Sequence, residues 1–138
     1  MELDEIDKKI LDHLEKDSRV SYTALAKKLD ISDVAIKKRI DKLIDNGVIE
    51  RFSISIDNKK LGMPLKAFIL VKLLPAEASQ IHEELKKMRN VTRIFPTLGS
   101  YDAILELTCR DIDELKSLTD ESIGNLHGVT DIRTLVVV

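Results

Sequence analysis

Residues 21–45 read SYTALAKKLDISDVAIKKRIDKLID, and this stretch settles the fold of the N-terminal part of the chain. Ser21 has the chemistry of a helix N-cap, and the residues after it, Tyr22–Leu29, place Leu25 and Leu29 on one face. Ser32 is a second N-cap, and Ile36, Ile40 and Leu43 follow at i, i+4 and i+7. Only Asp30-Ile31-Ser32 separates the two helices. Two short amphipathic helices joined by so tight a turn predict a helix-turn-helix.

Upstream, Leu3, Ile6, Ile10, Leu11 and Leu14 give a first amphipathic helix entered at Asp4, against which the pair can pack. Downstream, Gly47 stops the third helix near Asp45. Val48–Ile56 is rich in β-branched residues and partly alternating, which predicts an extended strand or wing. Residues 57–64, DNKKLGMP, carry turn chemistry and are expected to link two domains, 1–56 and 65–138.

The rest of the chain changes period. Strand patterns at Ala67–Leu74, Val91–Leu98, Tyr101–Thr108 and Val129–Val138 alternate with helical patterns at Ala76–Arg89 and Ile112–Asn125. That order, β-α-β-β-α-β, predicts a ferredoxin-like domain, so the whole chain is expected to be α+β. Pro96 tests the topology, because proline is tolerated on edge strands, and the second strand of this arrangement is an edge. Two helices cover one face of such a sheet. The apolar residues Phe68–Leu74 and Ile132–Val138 therefore need a cover on the other face, and a second copy of the chain in a two-fold dimer is the natural one.

Charge is unevenly distributed. The 138 residues carry a net charge of −2, but residues 1–15 hold two lysines against six acids, or −4, and residues 16–44 hold eight basic residues against four acids, or +4. In a helix-turn-helix the third helix presents its N-terminal turns to the major groove. Asp33, Val34, Lys37, Lys38 and Asp41 lie off its apolar stripe. Lys37 and Lys38 can reach phosphate or a guanine edge, and Val34 a thymine methyl. Ser32 and the first amides of the helix can grip a phosphate, while Arg19, Lys27, Lys28 and Lys42 add to the basic window. The competing reading is a three-helix packing module with solvated lysines, docking on a protein partner, its companion domain binding a small molecule.

Enzyme chemistry finds no footing. The one cysteine, Cys109, excludes an intramolecular disulfide and reads as a small buried hydrophobe. His13, His82 and His127 lack metal-ligand spacing, and no Gly-rich phosphate loop or paired nucleophile occurs. No cofactor is expected. The charged N-terminus is unlike a signal peptide, and no apolar run is long enough to span a bilayer, so a cytoplasmic location is expected.

LDEIDKKIL, SYTALAKKLDIS, IKKRIDKLIDNGVI and a GSYD loop inside a β-α-β-β-α-β domain together resemble the Lrp/AsnC (leucine-responsive/asparagine-responsive) regulators across nearly the whole chain. The resemblance implies a winged helix-turn-helix that binds double-stranded DNA. It implies a C-terminal domain that senses a small effector such as an amino acid. It also implies homodimers that assemble further, commonly to octamers. It marks Gly99, Ser100, Tyr101, Asp102 and Thr134 as effector residues. Backbone amides of the loop would hold a carboxylate, and Asp102 an ammonium group. Two departures stand out: Asp30 replaces a common glycine in the interhelical turn, and Asp41 sits where a basic or polar residue is usual.

Overall fold

A computed structural model describes all 138 residues. They form two compact units, residues 1–55 and 56–138.

In the first unit, helix α1 spans Glu5–Lys16 and starts at a capping box: the Asp4 side chain accepts from the Asp7 N–H, and the Asp7 side chain from the Asp4 N–H. Helix α2 (Tyr22–Leu29) is capped by Ser21, and α3 (Asp33–Asp45) by Ser32, each serine oxygen accepting an amide at 3.1 Å. Ile10, Leu14, Leu25, Ala26, Ile36, Ile40 and Leu43 form the core. The turn between α2 and α3 closes on Asp30, which adopts the left-handed conformation at φ 55, ψ 46. Asp does so at modest cost, so glycine is dispensable there.

The expected strand at Val48–Ile56 does not form. A strand needs neighbouring backbone to bond to, and the chain offers none, so Phe52, Ile54 and Ile56 stay exposed.

The second unit opens with a short 3₁₀ turn at Asn58–Leu61, closed by Gly62 in the left-handed region. Strand β1 (Leu65–Leu73) is followed by Pro75 and helix α4 (Ala78–Lys86). Strands β2 (Val91–Pro96) and β3 (Ala103–Cys109), helix α5 (Ile112–Ser117) and strand β4 (Val129–Val136) complete it. The sheet is antiparallel in the order β2-β3-β1-β4, the ferredoxin-like arrangement. Pro96 ends β2, an edge strand, as its missing N–H requires. The second helical pattern is shorter than expected: after Ser117 the chain widens into a π-turn, Leu118–Ile123.

Ala67, Ile69 and Val71 of β1 are buried beneath the helices with Ile81, Leu85, Leu105, Leu107, Leu115 and Ile123. Cys109 lies in the same core, where burial pushes its thiol up to about 11, keeping it protonated and unreactive at neutral pH. The opposite face carries Phe68, Leu70 and Ile104, half-buried, beside the exposed Phe95 and Leu135.

Gly128 sets how closely α4 approaches the start of β4. Its φ is +102, and a Cβ there would lie 2.6 Å from the Glu77 Cβ and 2.8 Å from the Ile81 Cδ1. Gly99 has φ +130 but open space around it. Gly128→Ala is therefore expected to destabilise the protein by about 2–4 kcal/mol, combining backbone strain with overpacking, and Gly99→Ala by only about 1 kcal/mol. Thermal or urea unfolding of the two variants checks the difference, and equal losses would contradict it.

Candidate nucleic-acid interface and effector loop

The buried stripe of α3 leaves its opposite side in solvent, and the residues there fall into two groups. Val34, at the first turn, is 76% exposed, which suits an apolar contact with a base. Lys38 and Lys42 are exposed, as are Arg19, Lys27 and Lys28 before the turn, and none of these five joins an ion pair.

The second group is already engaged within the chain. The Lys37 Nζ lies 2.6 Å from the Asp41 Oδ2, and this hydrogen bond raises the lysine pKa. The Asp33 Oδ2 accepts from the Thr23 hydroxyl at 2.8 Å, tying the start of α3 to α2. The Ser32 oxygen accepts the Ala35 N–H, which leaves its own proton free to donate. Lys37 and Lys38 thus differ in availability although they are adjacent in sequence, and Asp41 is the cause.

Arg39 also lies in the basic window of residues 16–44, but it points elsewhere. Its Nη1 donates to the Asp4 Oδ2 at 2.7 Å and to the Asp7 Oδ1 at 2.8 Å. The Asp7 backbone N–H, followed by Arg39, holds the Asp4 carboxyl below its usual pKa, and hydrogen bonds to Asp4 and Asp7 raise that of Arg39. The reciprocal Asp4–Asp7 spacing at the helix start is a capping signature that the sequence shows. That Arg39 would reach it from 32 residues away is not.

In the second unit the connection between β2 and β3 is a loop, residues 97–102, rather than the two-residue hairpin its Gly99-Ser100 suggests. The Thr97 N–H donates to the Asp102 carbonyl at 2.9 Å, and the Thr97 hydroxyl to the Tyr101 carbonyl at 2.9 Å. Asp102 anchors the loop to β1: its N–H donates to the Val71 carbonyl at 2.8 Å, and its Oδ2 accepts the Leu73 N–H at 2.7 Å. The Tyr101 hydroxyl donates to the Asp131 Oδ2 at 2.9 Å. Burial first, then this bond, raises the phenol pKa.

Gly99 and Ser100 sit at the exposed tip. The N–H groups of Leu98, Gly99, Ser100 and Tyr101 donate to no backbone carbonyl, so they remain available to an anion. Of the expected effector residues, Asp102 and Thr134 border different cavities in a single chain. Asp102 borders a groove of about 370 Å³ with Leu73, Ser79, His82 and Pro96. Thr134, on edge strand β4, borders a different one of about 480 Å³ with Thr119, Asp120 and Thr130.

Comparison with known proteins identifies both units. Residues 3–50 match the winged helix-turn-helix DNA-binding model, and residues 66–138 the Lrp/AsnC ligand binding domain. The chain is 35% identical to the transcriptional regulator LysM of Sulfurisphaera tokodaii over 137 residues, covering 99% of this chain and 95% of that protein. It is 34% identical to LrpA of Pyrococcus horikoshii over 135 residues, covering 98% and 96%. Among solved structures, E. coli AsnC superposes with a TM-score of 0.88 at 28% identity, over 99% of this chain and 93% of that one. The chain belongs to the Lrp/AsnC family of transcriptional regulators. It is a DNA-binding regulator, not an enzyme.

The split between free and engaged lysines is measurable. Lys38→Ala should reduce the slope of log affinity for DNA against log salt by about one, the value for one lost phosphate contact. Lys37→Ala should change it by clearly less, and Asp41→Asn should tighten binding by releasing Lys37. A fluorescence-anisotropy titration over a salt series compares the three, and equal losses for both lysines would contradict the split.

Proposed function

We propose that the protein is an effector-responsive regulator that binds a two-fold DNA site as a homodimer, with the N-terminal half of α3 reading the major groove. The observation that carries this reading is the exposed, uncommitted pair Val34 and Lys38, one helical turn apart on the face of α3 opposite its buried stripe. Arg19, Lys27, Lys28 and Lys42 supply phosphate attraction around it, Ser32 and the first amides of α3 grip a backbone phosphate, and Asp33 and Lys37 frame the reading face.

The dimer follows from the uncovered side of the sheet. Phe68, Leu70, Phe95, Ile104 and Leu135 form a contiguous apolar patch, which a second copy's sheet would cover. Further association of dimers, up to an octamer, would bring the separate Asp102 and Thr134 cavities of different subunits together. The effector proposed for that site is an amino acid. Its carboxylate meets the free amides of Leu98–Tyr101, Gly99 and Ser100 giving close approach. Its ammonium group meets the Asp102 oxygen not engaged by Leu73, with Tyr101 and Thr134 at the margins. The proposed place of action is the cytoplasm, where a DNA-binding regulator meets its target. No helix of the chain is long and apolar enough to cross a membrane.

Selection of bound duplexes from random DNA, with and without a panel of amino acids, tests the proposal. The expected product is a pseudo-palindrome whose half-site centres lie about one helical turn, roughly 10 base pairs, apart or a multiple of it. At least one amino acid should alter the affinity for that site. A single asymmetric half-site bound at full affinity would contradict the two-fold dimer, and indifference to every amino acid would remove the sensing role.

A further inference from the structure

Apart from its capped start, α3 is held mainly by aliphatic contacts. Ile36, Ile40 and Leu43 define which face is buried, but the hydrophobic effect is non-directional and sets the rotation about the helix axis less finely than a directional hydrogen bond does. Rotation by about 20°, at a side-chain radius of about 5–6 Å, moves a tip by about 2 Å. Base reading tolerates about 0.5 Å. Something directional is therefore required, and Thr23 on Asp33 fixes only the first turn.

Arg39 supplies a directional contact at mid-helix. Its guanidinium bridges Asp4 and Asp7, whose side chains are each fixed by the other's backbone N–H across the α1 capping box. The Asp7 side chain is 8% exposed and that of Arg39 29% exposed, so solvent competes weakly for the inner bond. Lys38 and Lys42 line the same cleft, of about 690 Å³, with Asp4, Asp7 and Arg39. The clamp thus sits directly beside Lys38 of the reading pair and Lys42 of the phosphate contacts.

We propose that Arg39 is a positioning residue for DNA reading: clamped by Asp4 and Asp7, it fixes the rotation and axial position at which α3 presents Val34 and Lys38 to the groove. The inference rests on α3 being the reading helix. It makes the first turn of α1, which is far from the reading face in sequence, a determinant of specificity.

Asp4→Asn gives a test in which two explanations have opposite signs. Asparagine caps helices as well as aspartate does, so α1 keeps its start. Neutralising an acid near DNA, by electrostatics alone, strengthens binding to every duplex. Loosening the clamp instead weakens binding to the preferred duplex by about three- to tenfold, the scale of a misaligned base contact, while binding to a scrambled duplex holds or rises. Arg39→Lys keeps the charge, and hence the salt slope, but its shorter side chain ends before the Nη1 position that bonds both carboxylates and its ammonium rotates freely, so selective affinity should fall about tenfold.

The experiment uses the full chain, the duplex recovered by selection with the unmodified protein, and a scrambled control. It is run below the melting transition of each variant, as followed by circular dichroism. Weaker selective binding by both variants, with non-selective binding retained, supports the proposal. Asp4→Asn binding the preferred duplex as tightly as the unmodified protein, or more tightly, overturns it. So does a lowered melting temperature with an unchanged ratio of preferred to scrambled affinity, which would show a purely structural clamp. If Arg39→Lys fails to fold, the sign of the Asp4→Asn effect decides alone. Failure of the unmodified protein to select any sequence would overturn the DNA-reading role itself, and this inference with it.

Discussion

Three residues, Asp30-Ile31-Ser32, govern what the first unit can do. Asp30 turns the chain through the left-handed region, the Ile31 N–H bonds back to the Ala26 carbonyl at 3.1 Å, and Ser32 caps the next helix at once. A longer connection would let α3 pack at other angles. With this one, Ile36, Ile40 and Leu43 are buried on the core formed by α1 and α2, and Val34 and Lys38 are left in solvent. The exposure of the reading face is the geometric remainder of the core, so the turn that builds the core also selects which face of α3 meets solvent.

The second unit is governed by β1. As a central strand it bonds to β3 on one side and β4 on the other, and its side chains alternate between the helices and the open face. Ala67, Ile69 and Val71 satisfy the helix side. On the other side, Phe68 and Leu70 lie between Lys66 and Lys72, and Lys66 pairs with Glu106 at 2.9 Å. An apolar centre with charged flanks suits an interface between copies better than a permanently solvated surface. The loop anchored by Asp102 depends on the same strand, because both of its backbone attachments are to Val71 and Leu73.

Much of this was legible in the sequence. Both serine caps, the three helices, the strand order and the edge position of Pro96 follow from local chemistry and period, which act over a few residues. The resemblance carried by LDEIDKKIL, SYTALAKKLDIS and GSYD supplied the family. Contacts between distant residues were not legible. The bond from Arg39 to Asp4 and Asp7, the Asp102 bond to the Leu73 amide and the Tyr101 bond to Asp131 each join elements that only the fold brings together. The strand expected at Val48–Ile56 failed for a related reason, since β-propensity describes a residue's fitness for a ladder and not the presence of a partner. Asp41 shows the finer limit. Its charge was visible as a departure, but its consequence, the capture of Lys37, depends on side-chain direction.

The central claim is that the N-terminal half of α3 is the surface that meets DNA. Amide hydrogen exchange on the full chain, with and without its selected duplex, reads this directly. The account predicts new protection concentrated in residues 32–38, including the amides at the start of α3 that no helix carbonyl occupies. Protection confined to the sheet, or to α1 with α3 unchanged, would contradict it.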